Sequence, residues 1–481
     1  MNARTVLRVL GFMWVVVGVG LVPSTLLALV DRSGDFWWMI TSAALPALSG
    51  ALLLFRTRGE LTMHVRDGFA IAAFGWLTAA GFGALPYYLS GYASPVDAFF
   101  ETMSGYTTTG ASIFTDVEVL PRSILFWRSL TQWMGGGGIV ALSLAVLPIT
   151  GGSSGMQLLK AEVPGPTADR LAPRLQSTAK ILWTIYGTLT AAETILLMFG
   201  GMNWFDAICH SFCTMATGGF STRNASVAAF DSAYIEYVII VFMFLAAVNF
   251  SVHFGFMQRK NIDAFTKNGE FLWYSGVTLV ATALLALNLI VRSGADLNAV
   301  RPALFQVVSI LTTTGFATAD YLLWGFGAQV LIFALMVVGG CAGSTAGGMK
   351  VIRPLLFGKH ILRLIRQQLQ PQGVFTVKHA GKPVSNDVML YVLGFIPFYA
   401  LVAIVVALAI EAMGVSPSTA FGATVSCLGN VGPGFGEVGP VSNYSALPAA
   451  SKWLLAFTML LGRLELFTVL VILTPMFWKR R

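Results

Sequence analysis

Four short stretches of the sequence close in the same way, each on a glycine: Thr107-Thr108-Thr109-Gly110, Ala216-Thr217-Gly218-Gly219, Thr312-Thr313-Thr314-Gly315 and Gly429-Asn430-Val431-Gly432. Aligned on those glycines, every copy has an alanine twelve positions upstream (Ala98, Ala207, Ala303, Ala420) and a small residue six upstream (Ser104, Cys213, Ser309, Ser426). The chemistry open to such residues is the coordination of a cation by neutral oxygens. A desolvated potassium ion needs about eight oxygens in place of its hydration shell, and rings of backbone carbonyls can provide them. Turning successive carbonyls to one side requires backbone angles that glycine adopts without penalty. Threonines just before the glycine add hydroxyl oxygens. No Asp or Glu stands at the four glycine positions, which argues against an acidic, divalent-type filter.

Each glycine lies between two long apolar stretches, so the repeating unit reads as membrane helix, short helix, glycine loop, membrane helix. The chain has 481 residues, 56% hydrophobic and 11% charged, with a mean hydropathy of +0.74. A soluble protein with that surface would aggregate. Continuous apolar runs such as 237–248 and 453–461 lack the alternation of a β-barrel. The expectation is an all-α polytopic membrane protein of four fused repeats around a central pore, preceded by two extra transmembrane helices. Residues 1–60 hold the leading helices, about 6–30 and 37–55. Repeat one occupies 61–150, repeat two 151–262, repeat three 263–370 and repeat four 371–481. The second spans are predicted at 126–147, 234–256, 328–338 followed by an interruption, and 453–477. The short central helices have about twelve residues and reach under about 20 Å, against a hydrocarbon core of about 30 Å. They must enter and return on one side. The loop after each then lies at membrane depth, which is tolerated where it is buried in protein or lines a water-filled path. Four helix C-terminal dipoles pointing at one centre favour a cation.

The net charge of +8 requires no nucleic-acid partner, because most Lys and Arg fall in segments that share one side, among them Arg4, Arg8, Arg56, Arg58, Arg259, Lys260, Arg363, Arg366, Lys479 and Arg480. The opposite segments carry few: Arg32, Arg122, Arg223, Arg292 and Arg301. This asymmetry places both termini in the cytoplasm. The first thirty residues could pass for a signal peptide, but no small-residue cleavage site is evident and a second span follows, so they read as a retained helix. Cys209, Cys213, Cys341 and Cys427 sit in apolar segments, with no His or Cys cluster to complete a metal site, and read as buried small hydrophobes.

The four glycine loops resemble the Trk/Ktr/HKT superfamily of potassium transporters, in which a channel-like tetramer is fused into one chain. Matches specific to the Trk-type membrane subunit run through Phe126-Trp127-Arg128-Ser129-Leu130-Thr131-Gln132-Trp133-Met134-Gly135-Gly136, Gly155-Met156-Gln157-Leu158, Ala161-Glu162-Val163-Pro164-Gly165-Pro166, His210-Ser211-Phe212, Gly218-Gly219-Phe220-Ser221-Thr222 and Asn430-Val431-Gly432-Pro433-Gly434. The resemblance covers nearly the whole chain, and the two leading spans favour the Trk over the shorter Ktr type. It implies a filter made of Thr108, Thr109, Gly110, Thr217, Gly218, Gly219, Thr313, Thr314, Gly315, Asn430, Val431 and Gly432, with K+ held by their backbone carbonyls. Glycine at all four positions is the family's potassium-preferring form; sodium-favouring relatives carry serine in the first loop. Repeats two and four depart from the triple threonine, so the filter should select less sharply than a symmetric, longer one. The resemblance further implies uptake across a bacterial inner membrane by a homodimer. Control would come from a separate cytosolic, TrkA-like nucleotide-binding regulatory subunit, which alone would carry ATP/ADP or NAD(H). This chain is expected to bind no cofactor beyond the transported K+. The basic segments 160–180 and 360–382 are candidate docking surfaces for that subunit, although positive-inside sorting alone explains their charge.

Two features point to gating. The run from Gly339 to Lys350 interrupts the second span of repeat three, and its Gly339, Gly340, Gly343, Ser344, Thr345, Gly347 and Gly348 should not hold a helix. It resembles the family's intramembrane loop, which blocks the pore below the filter until it moves; the plain reading is a small-residue packing patch. Arg463 reads as the only arginine deep inside a predicted span. By resemblance it projects into the pore as an electrostatic barrier; the plain reading is an Arg463–Glu465 pair, although i,i+2 neighbours on a helix do not face each other. Gly135-Gly136-Gly137-Gly138 lacks the Lys-Ser/Thr of a nucleotide loop and reads as close helix packing; His210 and His253 read as structural. Proton- or sodium-coupled symport is the alternative within transport, with Glu465 a pointer to coupling. A multispanning membrane enzyme would need convergent nucleophiles, acids or metal ligands, and none occurs at useful spacing. A potassium-sensing receptor would need a soluble output domain larger than these cytoplasmic segments.

Overall fold

The computed structural model of the chain describes residues 1–58, 64–138, 175–259, 262–294, 297–379 and 382–479. The Gly155–Leu158 and Ala161–Pro166 motifs, most of the 160–180 segment and the end of the 126–147 span lie outside them.

Among the described residues, six helices are long and apolar enough to cross a membrane: Ala3–Val30, Phe36–Arg56, Val65–Leu89, Lys180–Phe199, Gly269–Arg292 and Asn386–Glu411. They are the two leading spans and the first helix of each repeat. Apart from a two-residue antiparallel pairing of Lys378–His379 with Lys382–Pro383, the described residues carry no strand.

Four short helices follow the four first helices: Pro95–Tyr106, Trp204–Met215, Val300–Leu311 and Pro417–Gly429. Start signals explain where three of the four begin. Ser94 and Asn203 accept hydrogen bonds from the Asp97 and Asp206 amides, and Pro95 and Pro417 pre-set the first turn. Beyond their first turns they are largely buried, with Ala98, Ala207, Ala303 and Ala420 at most 1% exposed. The repeated alanine is therefore a packing requirement where a larger side chain would push the short helix outward.

The second helices depart from the sequence expectation. The predicted spans 234–256 and 453–477 are not continuous: Ala233–Ala246 turns through 97° into Phe250–Met257, and Ala449–Arg463 through 119° into Phe467–Leu473. In repeat three, Phe326–Val338 stops at Gly339 and the helix resumes at Ile352, as the small-residue run predicts. In repeat one, Arg122–Gly136 ends at Gly137. The first segments thus have 15, 14, 13 and 15 residues, about the length of the short helices beside them.

Arg122, Arg223 and Arg301, on the side poor in basic residues, pair with Asp31, Asp206 and Glu236 respectively, and Lys452 pairs with Asp97 at 2.6 Å.

Candidate ion-conduction site

The C-terminal ends of the four short helices run into the glycine loops with one backbone geometry. Thr108, Thr217, Thr313 and Asn430 have φ between +53° and +57°, and Gly110, Gly219, Gly315 and Gly432 have φ between +76° and +98°. The residue between them is not left-handed in any loop. This alternation sends N–H groups to one side of the strand and C=O groups to the other. The amides turn outward: Thr109, Gly218, Thr314 and Val431 donate to the carbonyls of Ser104, Cys213, Ser309 and Ser426 at 2.8–2.9 Å. The residue six positions before each glycine is thus the helix carbonyl that ties the loop back, and the opposite face of each strand is left to its carbonyls.

The four loops touch in a closed ring. A Cβ added to Gly110 would strike the carbonyl oxygen of Gly218, one on Gly219 that of Thr314, one on Gly315 that of Val431, and one on Gly432 that of Thr109, each no more than 2.6 Å away. Glycine is required there twice over, by the left-handed φ and by the neighbouring loop's carbonyl. All four glycines line one open vestibule, whose walls come from residues just after them, including Ala111, Phe220, Ala317 and Pro433. On its rim Asn224 donates to Asp116 at 2.7 Å, and that bond holds the carboxyl below its ordinary range, keeping a negative charge at the mouth.

The other side of the ring is covered. The Gly347 amide donates to the Thr313 hydroxyl at 2.6 Å and the Gly348 amide to the Gly429 carbonyl at 2.8 Å. The Thr345 hydroxyl bonds the carbonyls of Met215 (3.0 Å) and Ala246 (3.1 Å), and the Cys341 amide that of Ala247 (2.9 Å). The 339–351 loop therefore takes up helix-end carbonyls from repeats two and four, which accounts for the break after Ala246. Gly343 packs against Asn249; Gly339 meets Gly347 and Gly348, Gly340 meets Ala346, Ser344 bonds Cys341, and the Lys350 ammonium bonds the Ala346 carbonyl, so these residues hold the loop's own shape.

Arg463 joins the two layers. Its guanidinium donates to the Thr108 hydroxyl (3.1 Å), the Thr345 carbonyl (2.8 Å) and the Gly135 carbonyl (2.9 Å). Those partners belong to the first glycine loop, the intramembrane loop and the second helix of repeat one.

The model of the TrkH family, described as cation transport protein, matches residues 36–480. The chain belongs to the TrkH family. Among its relatives are the Trk system potassium uptake protein TrkH of Halomonas elongata and that of Escherichia coli K12, each 40% identical with all of both chains covered. TrkI of Halomonas elongata is 32% identical over 99% of this chain and 97% of its own. Among solved structures, the crystal structure of the potassium transporter TrkH from Vibrio parahaemolyticus superposes with a TM-score of 0.91 at 36% identity, covering all of both chains. The TrkH family is one of transporters, not enzymes.

The four-repeat architecture read from the sequence is thus that of the TrkH family, and all twelve candidate filter residues meet at the ring. Arg463, read from the sequence as the only arginine deep inside a span, is half-buried, and two other arginines are more deeply buried. Arg128 lies behind the first loop, 2% exposed and paired with Glu101 at 2.8 Å, and Arg353 is fully buried and paired with Glu465 at 2.6 Å. The alternative Arg463–Glu465 pair gives way to Arg353–Glu465. The glycines before the first break are packing residues: a Cβ on Gly135 would meet the Tyr106 backbone and one on Gly136 the Ala216 Cα. All four cysteines are buried and free, and His210 sits between the Asp206 carbonyl and the Ser221 hydroxyl. Sequence reasoning missed Gln132, whose amide donates to the Gly218 carbonyl (2.6 Å) and accepts from the Phe220 amide (3.1 Å). Its sequence signals are a polar side chain inside a membrane helix and its place in the Trk-type match from Phe126 to Gly136, neither of which gave it a role.

Proposed function

We propose that this chain takes up potassium ions by passing them through the four-glycine ring, with the 339–351 loop and Arg463 as the gate. The observation that carries this is the closed ring itself: each glycine abuts the carbonyl before the next glycine, so the four loops form one oxygen-lined opening. The relatives' name, Trk system potassium uptake protein, supports potassium as the ion. The ring opens to a vestibule on one side and is covered by the loop and a guanidinium on the other, which is the arrangement of a closed gate. K+ would be drawn inward by the negative interior at about 2.3 kcal/mol per 100 mV per charge.

The charge asymmetry supports a multi-pass protein of the bacterial inner membrane with both termini in the cytoplasm. Together with the resemblance to the Trk type it supports a homodimer controlled by a cytosolic nucleotide-binding subunit. The amphipathic helix Ile352–Leu369, joined directly to the loop, is the candidate lever on which such a subunit acts.

Proton coupling is the second reading. Glu465, its sequence-level candidate, is engaged by Arg353. The better foothold is Glu193, fully buried in the first helix of repeat two with no ion-pair partner among the described residues.

Rubidium uptake into proteoliposomes, with sodium and pH gradients varied separately, tests both readings. The pore reading expects uptake driven by potential alone, and sodium admitted by Gly315→Ser. Uptake that follows the proton gradient and loses that dependence in Glu193→Gln supports symport. No flux of either cation, even with a regulatory partner added, overturns the filter assignment.

A further inference from the structure

The ring is not fourfold in its carbonyls. The Gly432 carbonyl oxygen accepts two hydrogen bonds, from the Ser426 hydroxyl and from the Tyr444 hydroxyl, both at 2.7 Å and both from buried side chains. A carbonyl oxygen has two lone pairs. With both occupied by donors from the surrounding protein, this oxygen does not face an ion on the axis.

Repeat three shows the contrast. Ser309, the counterpart of Ser426, gives its hydroxyl to the carbonyl of Phe316, one residue past the glycine, at 2.6 Å. In repeat four the same donor takes the glycine's own carbonyl. The backbone follows: φ is +98° at Gly432 but +76° to +82° at the other three glycines.

Two sequence differences account for the shift. The residue after Gly432 is Pro433, with fixed φ and no N–H, where the other loops carry Ala111, Phe220 and Phe316. Nine positions before the glycine, the other repeats place Glu101, His210 and Gln306, which bond the outgoing strand at Ile113, Ser221 and Ala319. Repeat four has Ala423 there, which cannot. Two tyrosines take over: Tyr321 donates to the Gly434 carbonyl at 2.6 Å, and Tyr444 reaches the glycine itself. Tyr444 is anchored from repeat one, its amide donating to the Ser112 carbonyl at 2.8 Å.

We propose that Tyr444 is a positioning residue for ion selectivity, holding the fourth loop's glycine carbonyl out of the ring so that at most three glycine carbonyls meet the ion at that level. This rests on the pore reading above. A K+ there is displaced toward loops one to three, and a smaller cation finds fewer competing oxygens to exclude it.

The test is the K+/Na+ permeability ratio from bi-ionic reversal potentials of the reconstituted full chain, for Tyr444→Phe, Tyr444→Phe/Ser426→Ala and, as control, Tyr321→Phe. Freed to turn inward, the carbonyl should raise the ratio about fivefold in Tyr444→Phe, the factor that one hydrogen bond is worth, and further in the double variant. Tyr321→Phe should leave it unchanged. Anomalous scattering from thallium in crystals of the unaltered protein gives a second readout, which decides the matter even where the variants do not fold. The ion should lie off the axis, away from Gly432. A ratio that is unchanged or lower with potassium flux intact, or thallium equidistant from the four loops, overturns the proposal alone. A protein that neither carries potassium nor binds thallium in the ring overturns the pore reading with it.

Discussion

Replacing Arg463 by alanine removes a clamp whose strength follows from its contacts. The guanidinium makes three charge-assisted hydrogen bonds, at 2.8, 2.9 and 3.1 Å, to the intramembrane loop, the second helix of repeat one and the first glycine loop. Net of hydration, a hydrogen bond contributes about 1 kcal/mol, and one to a charged group about 1.5–3 kcal/mol. At the low value of about 1 kcal/mol per bond, for a guanidinium that is hydrated when the pore opens, the clamp holds the gate shut by about 3 kcal/mol in all. At about 1.4 kcal/mol per decade, that is about a 100-fold shift toward open. We expect Arg463→Ala to raise basal rubidium flux in proteoliposomes about 100-fold. Arg463→Lys keeps the charge but not the fork geometry and should raise it about 10-fold. Flux from Arg463→Ala equal to or below that of the unaltered protein, with the protein intact by size-exclusion chromatography, would refute the clamp.

Three further outcomes follow from neighbouring contacts. Thr345→Val loses the hydroxyl bonds to Met215 and Ala246 and should raise basal flux about 10-fold, with Thr345→Ser restoring the resting rate. Arg128→Met strands Glu101 in a buried site that also holds Ser112 and Ile113, and should destabilise the protein by about 3–5 kcal/mol. Thermal unfolding in detergent measures this, and the Arg128→Met/Glu101→Leu double variant should be more stable than the single one. Gln132→Leu removes the donor to the Gly218 carbonyl and should lower the K+/Na+ ratio about fivefold by loosening the second loop, read from reversal potentials.

The glycine ring was legible because its requirements are local. A left-handed φ, a short capped helix and a small residue six positions upstream leave marks at fixed spacing, and they recur four times. The broken second helices were not. The segment Ala246-Ala247-Val248-Asn249 is as apolar as a continuous span, and what ends the helix there is the loop about 95 residues later, whose Cys341 amide and Thr345 hydroxyl take the Ala247 and Ala246 carbonyls. The break after Arg463 carries no glycine either. Glu465 and Leu466 adopt φ of +55° and +48°, a strained geometry for such residues, beside the ion pair that Glu465 makes with Arg353 from repeat three. Arg128 stood in plain view within a predicted span, but its partner Glu101 lies in a different helix, so hydropathy counted a charge and could not see that it was neutralised. The intramembrane loop was readable as a place where no helix holds. Its seat against Thr313, Gly429 and Arg463 was readable only through the family resemblance.

The central claim is that ions pass through one opening to which all four glycine loops contribute. Its most direct test is the bi-ionic K+/Na+ reversal potential of the reconstituted chain, measured for Gly110→Ala, Gly219→Ala, Gly315→Ala and Gly432→Ala one at a time. Each added methyl strikes a neighbouring loop's carbonyl at a left-handed position, a strain of about 1–2 kcal/mol, so each of the four should lower the potassium preference about 10-fold. Four variants that carry potassium with the preference of the unaltered protein would contradict the account.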